Sequence, residues 1–237
     1  MTPLASLANM YFICNRDKFH IFKIRSVLND IYGGKITVEG QYFSQFGEDK
    51  WIVYNLPYPL NGIFVDVGAS DGIYGNNTYF FEKMGWKGLC IDADPNHHTS
   101  LQANRKLVET CAVSSVRGEV EFYQHNTDST WSGIYRRGKD YNPINVQSHR
   151  LEDLLLLHNI DKIDLLDIDV EGSEIDVWNS FDPELYQPEV VIIEYSDSRQ
   201  CCNKTEIISA VTEYSYNLAY TTPANLIFVR TPLGWVS

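Results

Sequence analysis

The chemistry of this sequence is concentrated in a glycine turn flanked by acids and in a later run of alternating acids. Asp66-Val67-Gly68-Ala69-Ser70-Asp71-Gly72 places two carboxylates beside two glycines, and Asp92 stands 20 residues beyond Gly72. Gly68 and Gly72 permit a tight turn and close approach of backbone to a ligand. Two carboxylates suit a pyrophosphate badly and a cation well, and an acid at the spacing of Asp92 suits two ribose hydroxyls. Further on, Asp167, Asp169 and Glu171 alternate with Ile168 and Val170. Glu194 then ends an apolar run, with Asp197 close behind. Clustered carboxylates repel, so at least one is expected to hold its proton near neutral pH and supply a general base. The same oxygens could instead take a hard divalent cation such as magnesium, which would acidify a hydroxyl. The expected working pair is Asp169 and Glu171, with Glu194 in support.

Such residues act together only if strand ends carry them to one place. The hydrophobic pattern predicts strands over 63–67, 88–92, 110–113, 163–168 and 190–194, with 119–123 extending the sheet. Helices are expected over 44–55, 77–84, 96–107, 151–158, 173–178 and 205–213, and a closing hairpin over 218–220 and 226–230. Pro57 and Pro59 end the first of these helices. Asn76 and Asn77 offer a cap for the second. This alternation predicts an α/β fold, with a mostly parallel sheet covered on both faces. In such a sheet, ligands bind beyond the carboxyl ends of the strands, where these acids fall. Residues 1–43 read as an N-terminal helical extension and 44–237 as a single domain. Residues 124–146 show no clear period and form an irregular segment, which in a compact domain is usually functional or mobile.

The chain has 237 residues, with 19 Lys and Arg against 31 Asp and Glu, a net charge of −12. That balance argues against nucleic acid as a partner. No apolar run approaches the ~20 residues of a transmembrane segment, and no Lys or Arg precedes the apolar stretch of the N-terminus, as a secretory signal would require. The five cysteines form no CxxC, and Cys90 and Cys111 sit in apolar runs. A reducing, cytoplasmic location is expected.

The paired acids fit the ammonium and sulfonium of S-adenosylmethionine. The stretches SQFGEDKW (44–51), FVDVGASDG (64–72), NNTYFFEKMGWKGLCIDADP (76–95), LQANR (101–105), AVS (112–114) and IDLLDIDVEGSE (163–174) resemble, in this order, the FkbM family of S-adenosylmethionine-dependent methyltransferases. The resemblance covers about 44–194. It implies a Rossmann-like class I methyltransferase fold, with a seven-stranded, mostly parallel sheet whose last strand is antiparallel. It also implies roles: Asp66, Gly68 and Gly72 shape the methionine pocket, Asp92 holds the ribose, and Ala112, Val113 and Ser114 border the adenine. Gln45 and Asp49 close over the cofactor, and Ser70, Asn77, Thr78 and Ala93 complete the expected cofactor-binding set. Two departures stand out. Asp92-Ala93 replaces the usual Glu-Pro, and Asp167 replaces a common Lys, which makes the site more acidic than the family norm.

The resemblance implies an O-methyltransferase acting on a hydroxyl, most readily that of a sugar in a glycan, glycolipid or glycosylated metabolite. The acceptor is thus a small molecule or a glycan; the oligomeric state is open. Trp131, Tyr135, Arg136, Arg137 and Tyr141 of the irregular segment are expected to shape its site, because aromatic faces pack on sugar C–H faces and Arg holds acidic groups. His97, His98, His125, His149 and His158 are further candidate bases, with His97 and His98 expected at the surface or the adenine side and His125 and His149 facing the acceptor. Asn55-Leu56-Pro57-Tyr58 resembles the tetrad of adenine-N6 methyltransferases, but it lacks the first proline and precedes the first strand, so it reads as a helix stop. The alternatives are an NAD-type Rossmann oxidoreductase, disfavoured by the missing third-glycine spacing, and a non-catalytic nucleotide-binding module.

Overall fold

A computed structural model describes residues 41–197, 202–232 and 234. Residues 1–40, nearly all of the helical extension read in the sequence, lie outside the described residues. In chain order the described elements are α1 (Glu48–Asn55), β1 (Ile63–Val67), α2 (Tyr79–Lys83), β2 (Lys87–Ile91), α3 (Pro95–Asn104), β3 (Val108–Glu109), β4 (Ala112–Val113), β5 (Gly118–His125), a 3-10 turn (Ser129–Trp131), β6 (Tyr141–His149), α4 (Leu151–Leu157), β7 (Leu165–Ile168), α5 (Glu174–Trp178), α6 (Pro183–Tyr186), β8 (Val190–Glu194), α7 (Lys204–Thr212), β9 (Tyr216–Thr221) and β10 (Asn225–Arg230).

Seven strands form one sheet in the order β3-β2-β1-β7-β8-β10-β9. The pairs from β3 to β8 are parallel, and β10 runs antiparallel to both β8 and β9. This is the class I methyltransferase sheet expected from the sequence. Its central strands read IFVDV, LLDI and VVIIE, the near-continuous apolar runs that burial on both faces requires. Successive side chains divide between two cores. Val65, Val67, Leu166, Ile168, Val191 and Ile193 pack with Leu151, Leu155 and Trp178 of α4 and α5. Phe64, Leu165, Val190 and Ile192 pack on the other face with Ile52 of α1, Phe81 of α2, Trp86 of the α2–β2 connection and Leu101 of α3. Each such side chain contributes about 1.5–3 kcal/mol when fully buried.

Three sequence expectations are corrected. The third strand of the main sheet is Val108–Glu109, and the chain then leaves it. Ala112–Val113, β5 and β6 build a separate three-stranded sheet in the order β4-β6-β5, so 119–123 does not extend the main sheet. The irregular segment is shorter than 124–146, because residues up to His125 and from Tyr141 onward pair as an antiparallel hairpin. The pattern conceals β6 because Ser148 is its one buried residue. The first helix starts at Glu48 rather than at 44. Gly47 adopts φ 82, and Ser44 instead folds back, its amide and hydroxyl both donating to Asp49.

Candidate active site

β1 runs straight into the glycine turn. Gly68 has φ 94, and its amide donates to the Ile91 carbonyl at 2.8 Å. A Cβ on Gly68 would lie 1.7 Å from the carbonyl oxygen of Asp169. The turn after β1 therefore touches the exit of β7 backbone to backbone, and only glycine fits. Beneath the turn, the buried Arg105 donates to Glu82 (2.6 Å), to the Gly72 carbonyl (3.0 Å), to Asn76 Oδ1 (3.1 Å) and to Thr78 Oγ1 (2.8 Å). Asp66 accepts from Asn76 Nδ2 at 2.9 Å and from Thr78 Oγ1 at 2.5 Å. Burial holds its carboxyl above the usual range, although Arg105 and these two donors pull it down. Asp66 and Thr78 thus brace the turn from below.

The strand ends open into a cavity of about 580 Å³, within the roughly 300–1,000 Å³ usual for small-molecule sites. Gly68, Ser70, Asn77, Asp92 and Ala93 line it, as do Gln45, Ala112 and Val113. Asp169, Glu171 and Glu194 line it too, so the structure brings together eleven of the residues expected from sequence. It places the other five elsewhere. Asp66, Gly72 and Thr78 belong to the Arg105 scaffold. Asp49 caps the turn before α1, and Ser114 is buried against Ser148 at 2.8 Å. Asp92 already accepts from the Ser70 amide (2.8 Å) and the Asp94 amide (2.9 Å), which fixes its carboxylate in place.

At the other end, carboxylate oxygens of Asp169, Glu171 and Glu194 lie within 4.8 Å of one another. Burial, then the charges of Glu194, Glu171, Asp167 and Glu174, hold the Asp169 carboxyl well above its ordinary value. Asp167 also lines the cavity. Its register partner across β1 is Asp66. Burial and that neighbouring acid raise its carboxyl well above the usual range, against a 3.0 Å hydrogen bond from Asn77 Nδ2. The strict alternation read from sequence stops where β7 ends at Ile168, so Val170 lines the cavity as well. Glu171 adopts φ 62, a left-handed conformation costing a non-glycine residue about 1–2 kcal/mol. All three donors are hard oxygens, which fits a divalent ion. However, Arg137 Nη1 stands 2.6 Å from Glu171 and already balances one of the three charges.

Residues 126–140, between β5 and β6, roof the cavity through Asp128–Ser132 and Ile134. Gly133 pairs with Tyr123 in both directions, Arg137 reaches Glu171, and the Trp131 and Tyr135 rings are about half exposed. Among the candidate histidines, only His97 lines the cavity. His98 faces the Asp92 carbonyl. His125 packs on Trp131 and Tyr141, His149 is exposed, and His158 lies 2.7 Å from Glu109. Sequence reasoning missed Asn225, Ser173 and Asp94. Asn225 lies opposite Glu194 in the β8–β10 register. Buried polar atoms of Asn77 (Oδ1), Asn225 (Oδ1), Ser173 (Oγ) and Asp94 (Oδ2) border this cavity with no hydrogen-bond partner. A buried polar strand residue such as Asn225 is the sole local hint, and its relation to Glu194 depends on pairing across the sheet.

A family model for the methyltransferase FkbM domain matches residues 66–218, more than half of the chain. The chain belongs to the FkbM methyltransferase family. It is also similar to the 2-O-methyltransferase NoeI of Sinorhizobium fredii, with 27% identity over 157 residues. That match covers 57% of this chain and 63% of the relative, so the chain spans somewhat less than two thirds of that protein. Among solved structures, a TehB-like SAM-dependent methyltransferase from Corynebacterium glutamicum is similar at 10% identity and a TM-score of 0.44, covering 90% of this chain and 98% of that one. LepI in complex with SAM is similar at 13% identity and a TM-score of 0.34, covering 82% and 50%. In this FkbM chain, the matched region begins at Asp66 and takes in the turn, the acidic cluster and the roof.

Proposed function

We propose that this chain is an S-adenosylmethionine-dependent O-methyltransferase whose acceptor is a hydroxyl, best fitted by a sugar hydroxyl of a glycan, glycolipid or glycosylated metabolite. One observation carries the proposal: a single cavity joins Asp92 to the acidic cluster. Asp92 follows β2 and Glu194 ends β8, three strand spacings away, or about 14 Å. That span suits an extended ligand with a ribose at one end and a cationic group at the other. Asn77 Oδ1 is buried without a partner between these ends and suits an N–H donor such as an ammonium. When bound, S-adenosylmethionine supplies an electrophilic methyl on a sulfonium.

The residues of the chain then do the rest. Asp92 accepts from the ribose hydroxyls, Ala112 and Val113 border the base, and the Gly68 turn holds the amino-acid end. Asp169 would take the proton of the acceptor hydroxyl as that oxygen attacks the methyl in line and the methyl–sulfur bond breaks to leave the neutral thioether, because a carboxylate with a raised pKa is the stronger base once ionised. Glu171 and Glu194 hold the acceptor in place, and fixing the geometry supplies much of the rate. The half-exposed Trp131 face, which lines the cavity, supports a sugar ring. The 2-O-methyltransferase activity named for NoeI is in keeping with this acceptor class. Arg137 on Glu171 favours transfer that needs no metal. The thiols of Cys90 and Cys111 are free and buried, which accords with the reducing, cytoplasmic location proposed from the sequence. No helix among the described residues is long and apolar enough to cross a membrane.

The deciding experiment is calorimetric titration with S-adenosylhomocysteine, with and without magnesium, for the natural protein and for Asp92→Ala. Binding that falls in the variant by tenfold or more, about the loss of one charge-assisted hydrogen bond, supports the reading. A folded protein that does not bind overturns it.

A further inference from the structure

His97 is buried in the cavity wall beside Asp92. It sits on the first turn of α3, which Asp94 caps by accepting from the Asn96 amide. Its Nδ1 lies 3.2 Å from Asp92 Oδ1, and its Nε2 lies 2.7 Å from Ser129 Oγ. One ring therefore touches both the acid after β2 and the 3-10 turn of the roof, which are 37 residues apart in sequence (92 and 129). A second bond runs the same way, since Gln124 Nε2 at the end of β5 donates to Asp94 Oδ1 at 2.6 Å.

We infer that His97 is a positioning residue that couples the ribose end of the cavity to the roof, so that occupancy at Asp92 and seating of residues 126–140 are one event. The inference rests on the methyltransferase reading for the identity of the ligand at Asp92, and on geometry for the coupling. Asp92 is held by the Ser70 and Asp94 amides on one side and by His97 on the other. A ligand accepted by Asp92 therefore fixes the ring, and the ring fixes Ser129. Through the roof, the same constraint reaches Arg137 on Glu171 at the far end of the cavity.

The groups facing the ring are Asp92, Asp94 on its own cap, Asp71 of the glycine turn, and Asp128 and Ser129 of the roof. Burial pulls the ring toward the neutral form. The hydrogen bond and charge of Asp92, with the charges of Asp94 and Asp71, outweigh it and leave the pKa raised. The charged ring donates to both Asp92 and Ser129. The neutral ring carries a single N–H, which keeps one donor bond and makes the other depend on the Ser129 hydroxyl. The bridge is thus strongest below the raised value and weakens as pH increases through it.

The test uses trypsin, because Arg136, Arg137 and Lys139 lie on the roof. Cleavage at these three sites is followed by fragment mass, with and without saturating S-adenosylhomocysteine, for the natural protein, His97→Ala and Ser129→Ala. Ser129 is half-buried and approaches the bridge from the opposite side, so it guards against a folding defect in the first variant. The ligand is expected to protect the natural roof severalfold. Both variants should lose that protection even at saturation, and His97→Ala should bind roughly tenfold more weakly. Affinity of the natural protein should fall with rising pH, whereas that of His97→Gln should stay flat. Equal protection in all three proteins overturns the coupling, as does weaker binding with protection intact at saturation. Absence of binding by the natural protein overturns the methyltransferase reading itself, and the coupling with it.

Discussion

Arg137 Nη1 stands 2.6 Å from a Glu171 carboxylate oxygen, and Arg137 Nη2 donates to the Trp131 carbonyl at 2.5 Å. One side chain thus balances the acidic cluster and ties down the roof. Replacing it by methionine keeps most of the stem and removes the charge. Because the pair is partly exposed, the cost is roughly 1–3 kcal/mol rather than that of a fully buried pair. With its countercharge gone, the three-carboxylate set becomes a better cation site. Turnover of the natural protein is expected to survive EDTA, whereas Arg137→Met should become magnesium-responsive. Loss of natural turnover on chelation would count against this.

Gly68 and Gly47 both have left-handed backbones, with φ 94 and φ 82, but only one is crowded. A methyl group at Gly68 meets the Asp169 carbonyl oxygen at 1.7 Å, and one at Gly47 meets nothing within 4 Å. Gly47→Ala should cost about 1–2 kcal/mol, the left-handed penalty alone. Gly68→Ala must force β1 and β7 apart and should abolish ligand binding or soluble expression. Thermal melting of the two variants side by side separates them, and similar melting temperatures would refute the steric account.

The turn was legible because its meaning is local: the glycines, the acid 20 residues on, and the apolar runs before them are fixed by spacing. What was not legible depends on contacts distant in sequence. Asp66 was expected in the pocket, but its side chain faces Asn76, Thr78 and Arg105, and the burial of Arg105 leaves no periodic trace. Asn225 enters the site because β10 pairs with β8 opposite Glu194. β6 carries Pro143 and mostly exposed positions, so no hydrophobic alternation announces it. The sequence places His97 at the surface or the adenine side, but its bond to Ser129 requires knowing that β5 and β6 form a hairpin whose connection reaches α3.

Asp167 makes the folded state sensitive to alkali. Its carboxyl is raised well above the usual range by burial and then by Asp66. A raised folded value means that its contribution is fully present below the unfolded value of about 3.9 and is lost as pH rises through the folded value. Asp167→Asn removes that titration and retains a carbonyl oxygen to accept from Asn77. The variant should melt close to the natural protein below about pH 4 and at least ~2 °C higher near about pH 9, as a gain of order 1 kcal/mol or more implies. Equal melting at both pH values would mean that Asp167 is ionised and compensated in the fold.

The Trp131 side chain is 53% exposed and lines the cavity from the roof. Its ring packs against His125, with centroids 5.1 Å apart, while the roof is held independently by Ser129 on His97, Gly133 on Tyr123, and Arg137 on Glu171. Trp131→Ala therefore removes an aromatic face and leaves every anchor in place. Such a face contributes roughly 0.5–1.5 kcal/mol to a bound ring, so the acceptor KM should rise severalfold, up to roughly tenfold, while kcat and S-adenosylhomocysteine affinity stay within about twofold. A matching loss in S-adenosylhomocysteine affinity would show that Trp131 holds the roof rather than the acceptor. An unchanged KM would move the acceptor to the other exposed aromatic rims of the cavity, Tyr74 and Phe46.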